Sequence, residues 1–177
     1  MQLKSTKSKF GVCSLTIHWL NTLLVIIIIL SGLLLTFVPF FRDPFQYHLH
    51  TGFGLMILTL TIIRIIWYFI DTKPSLPDGI EGLHAKLYDW NHSGLYILMI
   101  LMSISGAVIL FTTDLKNFLF DDAPTTTYFD MPVTFIHDII GYILIIFVGV
   151  HIVGVFYYQF FKSKILIRMG VKFPGKG

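Results

Sequence analysis

Four long apolar runs leave this chain few ways to fold. They cover about residues 15–38, 48–69, 90–111 and 134–161, and each exceeds the roughly 20 residues needed to cross a bilayer core. In lipid each backbone N–H and C=O must be satisfied within its own segment, so each run is expected to be a helix. Hydrophobic residues make up 55% of the 177, a share that no soluble domain of this size needs. The class read from this is an all-α integral membrane protein, a single domain over residues 1–177 built as a four-helix bundle. The basic start followed by an apolar run has the look of a signal peptide. It is too long and lacks a small-residue cleavage pattern, so it is read as the first span.

The polar segments between the runs set the orientation. Lys4, Lys7 and Lys9 precede the first span, Lys73 and Lys86 lie between the second and third, and Lys162, Lys164, Arg168, Lys172 and Lys176 close the chain. The other two connections hold only Arg42 and Lys116, against Asp43, Asp114, Asp121, Asp122 and Asp130. By the positive-inside rule both termini are expected on the cytoplasmic side. The segment 115–120 (LKNFLF) is expected as a short amphipathic helix on the outer surface. Neither an internal repeat nor a separate soluble domain is visible.

Ionisable residues inside a span are costly and usually functional. The fourth span carries His137 and His151, fourteen residues apart. Fourteen residues make about 3.9 helical turns and rise about 21 Å, so both imidazoles leave one side of the helix near opposite membrane faces. The same interval separates His18 from Gly32, His50 from Arg64, and His92 from Gly106. Each helix thus offers one residue to an inner layer and one to an outer layer. By depth, His137 can face His50, and His151 can face His18 or His92. Two opposed neutral imidazoles are what a six-coordinate haem iron accepts. The glycines would leave room for a flat macrocycle, and Arg64 would supply a cation for haem propionates. With Cys13 the single cysteine and no C-x-x-C-H present, such haem would be held without covalent attachment.

Plainer readings apply to the remaining candidates. His48 lies about 200° round the helix from His50 and is expected to be uncoordinated, and His84 is read as a solvated side chain in the second connection. His92 is left between inner ligand, propionate contact and quinone pocket. Arg64 could instead snorkel to the headgroups. Trp19, Trp67 and Trp90 read as an aromatic belt at the inner interface. Nothing in the sequence suits zinc, with no H-E-x-x-H and no cysteine cluster.

Taken together, S-L-T-I-H-W-L around His18, H-T-G-F-G at His50 with Arg64 beyond it, and H-D-I-I-G-Y…V-G-V-H with His137 and His151 resemble the bacterial di-haem cytochrome b561 family, over nearly the whole chain. The resemblance implies two non-covalent b haems stacked between the helices. It pairs His18 with His151 on the inner haem and His50 with His137 on the outer. Within the family the likeness is to the superoxide oxidase type, which implies a bacterial inner-membrane enzyme passing electrons from superoxide to ubiquinone. The acidic outer connections are the opposite of a funnel that steers a small anion. They would suit the alternative, a haem-bearing electron-transfer subunit of a larger respiratory complex such as a hydrogenase or formate dehydrogenase. A histidine relay in a transporter would want carboxylates at mid-depth, and Asp138, at the outer end of the fourth span, is the one acid within a span. Expected partners are membrane lipid, quinone, and superoxide or a periplasmic donor. No nucleic-acid partner is expected, and a homo-oligomer is left open.

Overall fold

The computed structural model describes residues 2–77, 79–112 and 132–171. Four long helices dominate it: α1 (Val12–Phe37), α2 (Pro44–Ile70), α3 (Gly82–Thr112) and α4 (Pro132–Phe161), followed by a one-turn α5 (Ile165–Arg168). All four long helices are apolar and long enough to cross a membrane. The segment 115–120 and the acidic residues Asp114, Asp121, Asp122 and Asp130 lie outside the described residues.

Local chemistry sets the helix ends. A short 3-10 turn, Pro39–Phe41, stops α1, because proline offers no N–H to continue the ladder. Arg42 folds back and donates from Nε to the Leu35 carbonyl at 2.9 Å and from Nη2 to that of Thr36 at 2.7 Å. The guanidinium thereby satisfies carbonyls that the helix end leaves open. Asp43 caps α2, its carboxylate accepting the Gln46 N–H at 3.0 Å, with Pro44 at the first helical position. One difference from the sequence reading concerns the second connection. Residues 83–89 (LHAKLYD), read as loop, form the opening turns of α3, because leucine, alanine and lysine are strong helix formers and the helix need not stop at the hydrocarbon edge.

Helix α1 packs along α2, α2 along α3 and α3 along α4, whereas α1 and α4 barely touch. The core sits at mid-height, where Leu24, Val25, Ile57, Met99 and Leu144 are buried together. Val25, Ile57, Met99 and Leu144 each lie seven residues from the histidine on their own helix, at 18, 50, 92 and 137. One apolar layer therefore divides the bundle about 10 Å from either histidine layer. Leu23, Leu30, Ile66, Ile97, Ile146 and Val153 are more than half exposed, as expected of a surface solvated by lipid chains rather than water.

The described residues nearest the two termini meet at one end of the bundle, here called the terminal end. Trp19 Nε1 donates to the Met169 carbonyl at 2.9 Å, Ser75 N–H to the Lys7 carbonyl at 2.9 Å, and Arg168 Nη2 to the Ser75 carbonyl at 2.7 Å. Asp71, just past α2, accepts from the Ser5 N–H at 2.7 Å and from the hydroxyls of Ser5 and Ser14. Trp67 Nε1 donates to Ser14 Oγ at 2.9 Å.

Candidate functional site

The end away from the termini holds His50 on α2 and His137 on α4. Their ring centroids are 6.2 Å apart and their planes cross at 74°. Nδ1 of His50 lies 2.8 Å from Ser31 Oγ, and Nδ1 of His137 lies 2.8 Å from Ser105 Oγ. The glycine after each serine clears space for the same ring. A Cβ on Gly32 would stand 3.1 Å from His50 Cε1, and one on Gly106 would stand 3.4 Å from His137 Cε1. These two glycines therefore give the imidazoles clearance.

At the terminal end, His18 on α1 and His151 on α4 face each other with centroids 6.4 Å apart and planes at 57°. His92 joins them from α3, its centroid 4.9 Å from that of His151 and its Nδ1 2.8 Å from the Tyr88 carbonyl. Arg64 reaches in from α2, with Nη2 2.9 Å from His18 Nδ1 and its guanidinium 5.2 Å from the Tyr96 ring centre. His18, Arg64, His92 and His151 all line one cavity of about 90 Å³. Asn21, 2% exposed, lines it too, and among the described residues neither of its amide atoms has a hydrogen-bond partner.

The fold thus brings His18, Arg64 and His151 together in one layer and His50 with His137 in the other, and it adds His92 to the first. His48 is exposed, as is His84, which lies on the opening turns of α3 with its ring 6.3 Å from that of Tyr158. Sequence reasoning missed Ser31, Ser105 and Asn21. The signal for the serines was a Ser-Gly pair at the same distance from His18 and from His92. The two helix pairs also match position for position. Ser31, Gly32 and His50 in the first correspond to Ser105, Gly106 and His137 in the second, with Arg64 standing where the second has His151. Shared sequence hardly marks this repeat, because only the layer positions are alike.

Residues 9–171 match the family described as prokaryotic cytochrome b561, a stretch that takes in all four long helices and both histidine layers. The chain belongs to the prokaryotic cytochrome b561 family. It is accordingly a multi-pass membrane cytochrome of the b type, and the family implies haem b and electron transfer. One relative, cytochrome b561 homolog 2 of Escherichia coli (strain K12), is 26% identical over 113 residues. That alignment covers 62% of this chain and 59% of the relative, so it spans under two thirds of that protein's length.

The residues present fit this cofactor. Iron bound about 2 Å from each of two imidazole nitrogens, with each ring centre ~1.2 Å further back, separates the centres by roughly 6 Å. The facing pairs stand at 6.4 and 6.2 Å. Among the described residues Arg64 meets no carboxylate, and a cation in a bilayer calls for an anion such as a propionate. The partnerless amide of Asn21 is a second polar group awaiting an occupant, since a buried polar atom is costly unless it is hydrogen-bonded.

Proposed function

We propose that this cytochrome b561 protein binds two b haems, one between His18 and His151 and one between His50 and His137, and moves electrons through the membrane between them. The observation that carries this reading is the pair of facing imidazoles in each layer, at the separation a shared metal requires and about 21 Å apart along the bundle. Bound haem supplies a one-electron couple at each layer. The chain's own residues do the rest. The imidazoles orient the cofactor, the layer of Val25, Ile57, Met99 and Leu144 keeps water out between the centres, and Arg64 offers a countercharge on the terminal side. The seam where α1 and α4 barely touch is the natural place for a macrocycle to sit.

In orientation, the basic terminal end faces the cytoplasm of a bacterial inner membrane and the far layer faces the periplasm. The reaction proposed is superoxide:ubiquinone oxidoreduction. Two superoxide anions each give up one electron and leave as dioxygen, and ubiquinone with two protons takes both electrons to become ubiquinol at a lipid-accessible site. The acidic composition of residues 113–131 favours a second reading, an electron-transfer subunit on which a soluble donor of complementary charge docks. Arg42, a cation of the far end, is engaged by the α1 carbonyls, which weakens any pull on a free anion there.

A reduced-minus-oxidised spectrum with haem counted per chain, on detergent-purified protein, tests the first part. Two b haems are expected, and none would overturn it. Stopped-flow mixing with superoxide and then with ubiquinone separates the two reactions: haems that superoxide reduces and quinone reoxidises support the oxidase, and haems inert to superoxide favour the docked subunit.

A further inference from the structure

The hydroxyl of Ser31 has one proton to give, and the helix takes it. Ser31 Oγ donates to the Ile28 carbonyl at 2.9 Å, and Ser105 Oγ donates in the same way to the Met102 carbonyl at 2.9 Å. A hydroxyl that has spent its proton meets any further partner as an acceptor. With that proton on the carbonyl, the 2.8 Å contacts to His50 and His137 run from Nδ1–H to Oγ. A neutral imidazole protonated at Nδ1 presents its lone pair at Nε2. Both far-layer rings are therefore held, before any metal arrives, in the tautomer that ligates through Nε2.

Helix serines commonly return a proton to their own backbone without any such partner. Ser103 does so to the Met99 carbonyl at 2.9 Å and touches no imidazole. What sets Ser31 and Ser105 apart is recurrence: each precedes a glycine, and each meets the far histidine of the neighbouring helix at the same distance. The proposed terminal ligands lack the device. Nδ1 of His18 faces the Arg64 guanidinium, and the terminal imidazole whose Nδ1–H does meet an acceptor, the Tyr88 carbonyl, is that of His92, which is not a proposed ligand.

We propose that Ser31 and Ser105 are positioning residues of the far centre, fixing the tautomer of His50 and His137 and setting that centre's reduction potential apart from that of the terminal one. This rests on the di-haem reading above. An Nδ1–H bonded to an acceptor makes the imidazole a stronger donor to metal, which favours ferric over ferrous iron. Loss of the acceptor should therefore raise the far potential and leave the terminal potential in place.

The test uses full-length holoprotein in detergent as Ser31→Ala, Ser105→Ala, the double variant and Ser105→Thr, which keeps a hydroxyl. Haem is counted first, then both midpoint potentials and the low-spin electron paramagnetic resonance signals are measured. Two haems per chain are expected throughout, with one midpoint raised in each alanine variant, raised further in the double, and returned toward wild type by threonine. One of the two low-spin signals should shift with it. Two haems with unmoved midpoints, or with both midpoints moving equally, would overturn the proposal and leave the di-haem reading standing. If Ser105→Ala loses the far haem, threonine decides: haem retained supports the hydroxyl's role, and haem lost assigns the site to packing and overturns it. A wild-type protein without haem in the far layer would overturn both.

Discussion

Nη2 of Arg64 lies 2.9 Å from Nδ1 of His18. Because guanidinium only donates, His18 accepts at Nδ1 and a neutral ring keeps its proton on Nε2, the nitrogen that faces away. Ligation of iron through Nε2 requires Arg64 to turn from His18 to another acceptor, and a haem propionate is the anion such a site would offer. Removing the cation should then stabilise ferric iron at the terminal centre. Arg64→Leu is expected to lower one of two midpoints by about 60 mV, roughly a tenfold change for a one-electron couple. Potentiometry of the variant checks it.

His92 separates two readings of the terminal layer. It approaches His151 more closely than His18 does, at 4.9 against 6.4 Å between centroids, too near for a shared metal of the separation estimated above. His92→Ala should therefore keep two haems per chain. His18→Ala and His137→Ala should each drop the count to about one, with different spectral components lost. A pyridine haemochrome assay against protein concentration reads all three.

The glycines beside the far imidazoles should differ in tolerance. A methyl on Gly32 would press on His50 at 3.1 Å, whereas one on Gly106 would meet His137 at 3.4 Å, close to ordinary contact. Gly32→Ala is expected to perturb the far haem spectrum and Gly106→Ala to change it little. A larger intrusion awaits Gly94→Ala, whose methyl would collide with the Phe147 ring, and lower yield of folded protein on size-exclusion chromatography is the expected readout.

The end cap should depend on pH through Asp71. Burial works against its charge, but hydrogen bonds from Ser14, from the Ser5 hydroxyl and N–H, and from the Thr72 backbone outweigh it and hold its pKa below the ordinary carboxylate value. A carboxylate with a depressed folded pKa stabilises fully above its unfolded value, about 3.9, and that contribution fades as pH falls through the lower folded value. The N-terminal arm should stay docked at pH 7 and pH 5 and loosen only below about pH 4. Asp71→Asn should release it at neutral pH, seen as faster proteolysis before Val12.

The layers of the site were legible in the sequence because helix geometry in a bilayer is nearly obligatory. Once His18, His50, His92 and His137 each began a span, a fourteen-residue step to Gly32, Arg64, Gly106 and His151 fixed two depths on one face. What spacing could not fix was which side chain meets which across helices. Residues 83–89 looked like loop because polarity was read as a break, although their helix propensity is high. Ser31 and Ser105 passed as ordinary span residues, since nothing local reveals that a hydroxyl bonded to its own backbone also receives a proton from a neighbouring helix.

The amino-acid sequence by itself determined that there are four candidate spans, that histidines lie at two depths, and that basic charge gathers on the side where the chain starts and finishes. Those follow from local chemistry, namely backbone satisfaction in lipid and 3.6 residues per turn. Tertiary structure alone decided that His151 lies near both His18 and His92, that Arg64 lies against His18, that Gly32 and Gly106 give imidazoles clearance, and that α1 and α4 stand apart. Those depend on helix rotation and neighbour choice. Both are settled by how side chains interdigitate across the bundle, and no periodicity along a single helix records that.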